Sequence, residues 1–97
     1  MNTTYSFSDI AIQDLEDLCE YIAQTNPKAA SRIFDSIRQR AKLLATFPNM
    51  GKPYNRLALN LRGSIVNEYI ILYYPKEDGI EIARIVSGYR DLETLFD

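Results

Sequence analysis

"DIAIQDLEDLCEYIAQTNPKAASRIFDSIRQRAKLLAT", residues 9–46, decides the fold. Ala11, Leu15, Leu18 and Ile22 recur at the spacing of one helix face, and Ile12 and Cys19 widen that stripe. Ser8 reads as the N-cap, with Asp9 in the first turn, where free amides and the helix dipole favour an acid. "TNP" ends this helix near Gln24, because the residue before a proline avoids helical backbone. Asn26 then caps a second helix with Pro27 at its first position, where a missing N–H costs nothing. Its stripe is Ala30, Ile33, Phe34, Ile37, Ala41 and Leu44, and it reaches about Thr46. Two amphipathic helices joined this closely make an antiparallel hairpin. Leu15, Leu18, Ile22, Ile33, Phe34 and Ile37 are expected to be buried against a sheet.

Outside the hairpin the pattern is that of strands. "TTYSF", residues 3–7, alternates at Tyr5 and Phe7 as a short half-buried strand does. "FPNMGKPYNR", 47–56, carries two prolines and a glycine and reads as a loop. "LALNLR", 57–62, alternates leucines with Ala58, Asn60 and Arg62, and "GS" is expected to turn the chain. "IVNEYIILYY", 65–74, is the strongest strand signal. "PKEDG" then reads as a hairpin loop and "IEIARIV" as the returning strand. After "SGYRD", Leu92, Leu95 and Phe96 form a small apolar face that Asp91 can cap. The order β-α-α-β-β-β predicts one α+β domain over residues 1–97, a helical hairpin packed on a small antiparallel sheet. The run "YIILYY" is apolar or aromatic at six consecutive positions, so both faces of the middle strand need cover. The hairpin covers one face, which leaves the other to the tail, to another chain or to a substrate.

Composition narrows the chemistry. The chain has no histidine and one cysteine, which sets aside histidine-assisted nucleophilic catalysis and zinc sites. Cys19 falls on the first helix's apolar stripe and reads as core packing. No cofactor or metal is expected. Apolar runs fall short of the ~20 residues of a membrane span, so no membrane role is expected. "MNTTYSFSDI" shows no basic region followed by an apolar stretch, which makes the cytoplasm the expected compartment. The formal net charge of −2 is not that of a protein living on nucleic acid. Residues 9–20 hold five acids and no base, while residues 28–42 hold five bases and one acid. The two helices are therefore expected to compensate one another's charge.

The ordered set "DLEDLCEYIAQTNPKAASRIFDSI", "LATFPNMGKP", "LRGSIVNEYIILYYP" and "EIARIVSGYRDLETLF" resembles the ParE/RelE toxin superfamily of bacterial toxin–antitoxin systems, on the ParE side, over residues 5–96. The resemblance implies a compact toxin neutralised by a cognate antitoxin, of the kind associated with plasmid stabilisation. It implies one of two targets, DNA gyrase or ribosome-bound mRNA. RelE-type ribonucleases work with Arg, Lys and Tyr instead of histidine, and Arg90, two residues after Gly88, matches one of their arginines. Their central-strand arginine falls here at Ile70 and their tail tyrosine at Phe96. Isoleucine cannot neutralise a developing phosphorane, and a phenyl ring cannot move a proton. The expectation is therefore an inhibitor of gyrase without chemistry of its own, with Arg62, Arg84, Tyr89 and Arg90 facing the target. Under the alternative, a ribosome-dependent endoribonuclease, Arg62, Arg84 and Arg90 would be catalytic. A third reading is a relative that only binds its antitoxin. Leu15, Ile22, Ile70, Leu72, Tyr74 and Phe96 are the expected antitoxin contacts.

Overall fold

The structure is a computed structural model that describes residues 4–96. Its elements are β1 (Thr4–Phe7), α1 (Asp9–Ala23), α2 (Pro27–Thr46), β2 (Lys52–Pro53), β3 (Arg62–Val66), β4 (Tyr69–Lys76), β5 (Gly79–Ser87) and a 3-10 helix, Leu92–Phe96. Residue 3, placed in the first strand by the sequence pattern, lies outside the described residues.

The hairpin follows its local signals. Ser8 Oγ accepts the Ala11 N–H at 3.0 Å, and the Asn26 side chain accepts the Ala29 N–H at 3.1 Å. The sheet runs β1-β5-β4-β3-β2. β3, β4 and β5 form the expected antiparallel meander, but β1 pairs parallel to β5, so the sheet is mixed. The parallel pair follows from the hairpin, which carries the chain away from β1 so that the sheet re-forms beside it.

Two expectations about β3 are corrected. Gly63 and Ser64 do not turn the chain but lie inside β3, and the turn falls at Asn67–Glu68. Asn67 takes a left-handed φ of 56°, a conformation asparagine tolerates better than most residues. Gly63 is small for another reason: a Cβ there would sit 2.6 Å from Tyr54 Cε2, so the glycine admits the ring. Residues 57–61 are not a strand. They form turns closed by Leu57 N–H to Tyr54 and Leu61 N–H to Ala58, with Asn60 at φ 68°.

The core has two layers, one on each sheet face. Ile33, Ile37, Ala41 and Leu44 pack against Ile71, Tyr73, Ile82 and Ile85, with Leu15, Leu18 and Ile22 partly buried at the margin. On the other face Leu61, Ile70, Leu72 and Val86 are covered by Tyr54, Leu57, Leu92, Leu95 and Phe96. The chain thus covers both faces of "YIILYY" itself, with the 3-10 helix and the 54–61 segment sharing the second. Phe34 departs from its expected burial and is 39% exposed.

Candidate functional site

The expected site residues separate into three groups. Arg62 and Arg84 are both engaged by groups of the chain itself and only partly exposed. Arg62 Nη1 donates to the carbonyls of Asn49 at 3.1 Å and Gly51 at 2.6 Å. Tyr73 joins this clamp, donating to the Pro48 carbonyl at 2.7 Å and accepting the Gly51 N–H at 3.0 Å. Together they pin the loop that leaves α2. Burial pushes the Tyr73 hydroxyl up, against the downward pull of the Gly51 N–H and the Arg62 charge.

Arg84 forms a two-point pair with Asp14 of α1, Nε to Oδ2 at 2.8 Å and Nη2 to Oδ1 at 3.0 Å. The two side chains are only 19% and 15% exposed. Asp14 Oδ2 also accepts the Ile85 N–H at 3.0 Å. This is the device that finishes the edge of β5. β1 stops at Phe7, opposite Ile82, and the β4–β5 register then shifts so that Ala83 is the extra residue. Ser8 Oγ donates to the Ala83 carbonyl at 2.9 Å, and Asp14 takes the next free amide. Residues of the α1 turn thereby satisfy backbone groups that β1 no longer reaches. The hydrogen bond to Asp14 drives the Arg84 guanidinium still further up, over the opposing effect of burial.

Tyr89 and Arg90 are the outward pair. Tyr89 is 87% exposed, Arg90 is exposed, and among the described residues no ion pair holds Arg90. They follow Ser87, which pairs with Tyr69, whereas Arg62 pairs with Tyr73 four residues along β4. Four strand residues span roughly 13 Å. The three arginines therefore do not share one end of the sheet. Arg90 shares a shallow 420 Å³ depression with Lys52, Tyr54, Arg56 and Glu93. Arg56 and Glu93 close it with an exposed ion pair at 3.0 Å.

The third group is apolar. Ile70 and Leu72 lie under the 3-10 helix, 5% and 0% exposed, and Tyr74 and Phe96 pack partly buried in the same cluster. Ile70 and Leu72 thus offer almost no surface to another chain while the 3-10 helix is seated. Leu15 and Ile22 are half-buried on α1. Leu15 lines a feature that periodicity did not reveal, an apolar groove along the hairpin. Tyr5, Phe7, Ile12, Leu15, Cys19 and Phe34 line a cavity of about 350 Å³. Cys19 and Phe34 also line the adjoining one, of about 500 Å³, with Ala23, Pro27 and Ala30. Burial pushes the Cys19 thiol up, which suits packing and disfavours a reactive thiolate. The exposed Phe34 was the available signal: an aromatic on a helix stripe wider than one neighbour can cover.

The opposite charges of the two helices are not joined by direct ion pairs. The ion pairs among the described residues are Arg56–Glu93, Lys76–Glu81 and Arg84–Asp14, and none joins α1 to α2. Among the described residues no group of three or more His, Cys, Asp or Glu is placed to hold a metal ion, and no helix is long and apolar enough to cross a membrane.

Comparison with known proteins agrees with this architecture. No curated protein matches the sequence. A solved structure described as the chromosomal ParDE toxin–antitoxin system from P. aeruginosa superposes with a TM-score of 0.73. It is 18% identical, and the match covers 88% of this chain and 95% of that one. At that identity the likeness is one of fold. The model for the ParE toxin of type II toxin–antitoxin systems, parDE, matches residues 5–92. With two helices on a five-strand mixed sheet, and a family match across nearly all of its length, this chain belongs to the ParE toxin family.

Proposed function

We propose that the chain is the toxin of a two-protein pair that inhibits DNA gyrase by binding it, catalyses no reaction of its own, and is neutralised by a cognate antitoxin in the cytoplasm. The observation that carries this reading is the internal use of Arg62 and Arg84. An RNA-cleaving enzyme needs cations aimed at the phosphate whose charge grows in the transition state. Arg62 is committed to two loop carbonyls and Arg84 to Asp14. Ile70 is buried, and Phe96 has no hydroxyl. Arg90 and Tyr89 remain, an exposed guanidinium and phenol suited to a protein's carboxylates and carbonyls.

The hairpin groove supports the antitoxin half of the reading. Its walls are apolar side chains, and Phe34 stands exposed in it. An antitoxin arm lying there would cover Leu15 and Phe34 and leave Arg90 to the target. Inducing the chain in cells, with DNA-damage signalling and translation followed side by side, tests the target. Damage signalling that precedes any fall in translation is expected, and co-expressed antitoxin should suppress it. An immediate stop in translation with intact DNA would point to mRNA instead.

A further inference from the structure

The groove is apolar along its floor but charged, with opposite signs, on its two walls. Glu16 lines one cavity and Glu20 the next, both on α1 and one turn apart. Arg38 stands on the α2 wall of the first cavity, its guanidinium carbon 5.8 Å from the centre of the Phe34 ring. All three are exposed, and none is in an ion pair among the described residues. Glu16 and Arg38 thus face one apolar cavity from opposite sides without pairing. Like charges at Glu16 and Glu20 repel along the helix, so a cation brought between them relieves that repulsion. A carboxylate brought to Arg38 meets a guanidinium already stacked on an aromatic face.

We propose that Glu16, Glu20 and Arg38 form a charge code that selects the groove's occupant. That occupant is an amphipathic helix of about three turns, with a cation on the flank meeting α1 and a carboxylate on the flank meeting α2. The proposal rests on the reading of the groove as the antitoxin site. Its length follows from the walls: Ile12 to Ala23 on α1 spans roughly 16 Å, about three helical turns. Its helical form follows from the floor. Side chains of α1 and α2 line most of it, with Tyr5 and Phe7 of the edge strand β1 at one end, and the hairpin's backbone groups are engaged within its helices. An extended segment would find free backbone groups only along the four residues of β1, whereas a helix of three turns satisfies its own along its whole length.

The test uses the full chain and three synthetic helical peptides of equal length with the same leucine stripe. One carries lysine on both flanks, one glutamate on both, and one lysine on one flank with glutamate on the other. Binding is measured by fluorescence anisotropy at low and high salt. The mixed peptide should bind about tenfold more tightly than either other at low ionic strength, and the gap should narrow as salt screens the rim. Arg38→Glu makes every wall acidic and should move the preference to the lysine peptide. Glu16→Lys with Glu20→Lys should move it to the glutamate peptide. Equal binding of all three, or preferences that ignore these reversals, would overturn the charge code and leave the groove standing. Failure of every peptide to bind, or binding that survives Phe34→Asp, would instead remove the groove as the site and the code with it.

Discussion

Replacing Asp14 with alanine should unfold the edge of β5. Asp14 accepts three hydrogen bonds, two from Arg84 and one from the Ile85 amide. Alanine leaves a largely buried guanidinium and a strand N–H without partners. Breaking one side of a buried pair costs about 3–5 kcal/mol. Because 15–19% of the two side chains still meets water, the lower end applies, ~3 kcal/mol. A domain of this size is stable by about 5–15 kcal/mol and loses roughly 4–8 °C of Tm per kcal/mol, so a fall of ~12–24 °C is expected. Urea unfolding followed by circular dichroism gives the same quantity at constant temperature. Arg84→Ala should cost a similar amount, and the double variant should fall short of the sum by about 1–3 kcal/mol, the signature of a direct pair. The reasoning would be refuted if Arg84→Ala moved stability by less than ~0.5 kcal/mol yet weakened gyrase inhibition. Arg84 would then be a target contact, not a tie between α1 and β5.

Ile33→Ala removes a 6%-exposed side chain from the helix–sheet core and should cost about 2–5 kcal/mol in chemical denaturation. Phe34→Ala, one residue on but 39% exposed, should cost stability much less while weakening antitoxin binding by ~2 kcal/mol in calorimetry, as a groove anchor would. Tyr73→Phe leaves the Pro48 carbonyl and the Gly51 N–H unpaired and should cost about 1–3 kcal/mol at neutral pH. Tyr73 also predicts an alkaline limb. Its folded pKa lies above the unfolded value of about 10, so its contribution is complete below that pH and is lost as pH rises through the folded value. Tm measured between about pH 8 and pH 11 should therefore fall less steeply for Tyr73→Phe than for the parent chain, with the rest of the slope shared by Tyr69 and Cys19.

The hairpin was legible because its signals are local. Ser8, Asn26 and Pro27 act on amides within three residues of themselves, and α2 occupies the span its stripe predicts. β3 misled because glycine has two uses. Beside a serine Gly63 resembles a turn, but its smallness serves the Tyr54 ring, a partner nine positions back that no periodicity reveals. Asn67, the residue that turns the chain, sits inside a run that reads as continuous strand. The parallel β1–β5 pair joins residues brought together only after the hairpin has formed. The same distance hid the fate of the arginines. Arg84 meets Asp14 across 70 positions, a partner that no local pattern reveals. Arg90 and Tyr89 lie in an exposed turn.

The central claim is that this toxin acts by binding gyrase and not by cutting RNA. One preparation of the chain, divided between a gyrase supercoiling assay and a translating-ribosome assay, tests it directly. Supercoiling should stop at low micromolar concentration or better, an affinity of about −8 kcal/mol. Ribosome-bound mRNA should remain whole. Arg90→Ala should weaken the inhibition while antitoxin binding, proposed for the hairpin groove, stays intact. Codon-dependent cleavage of mRNA that Arg90→Ala abolishes, with supercoiling untouched, would contradict the account.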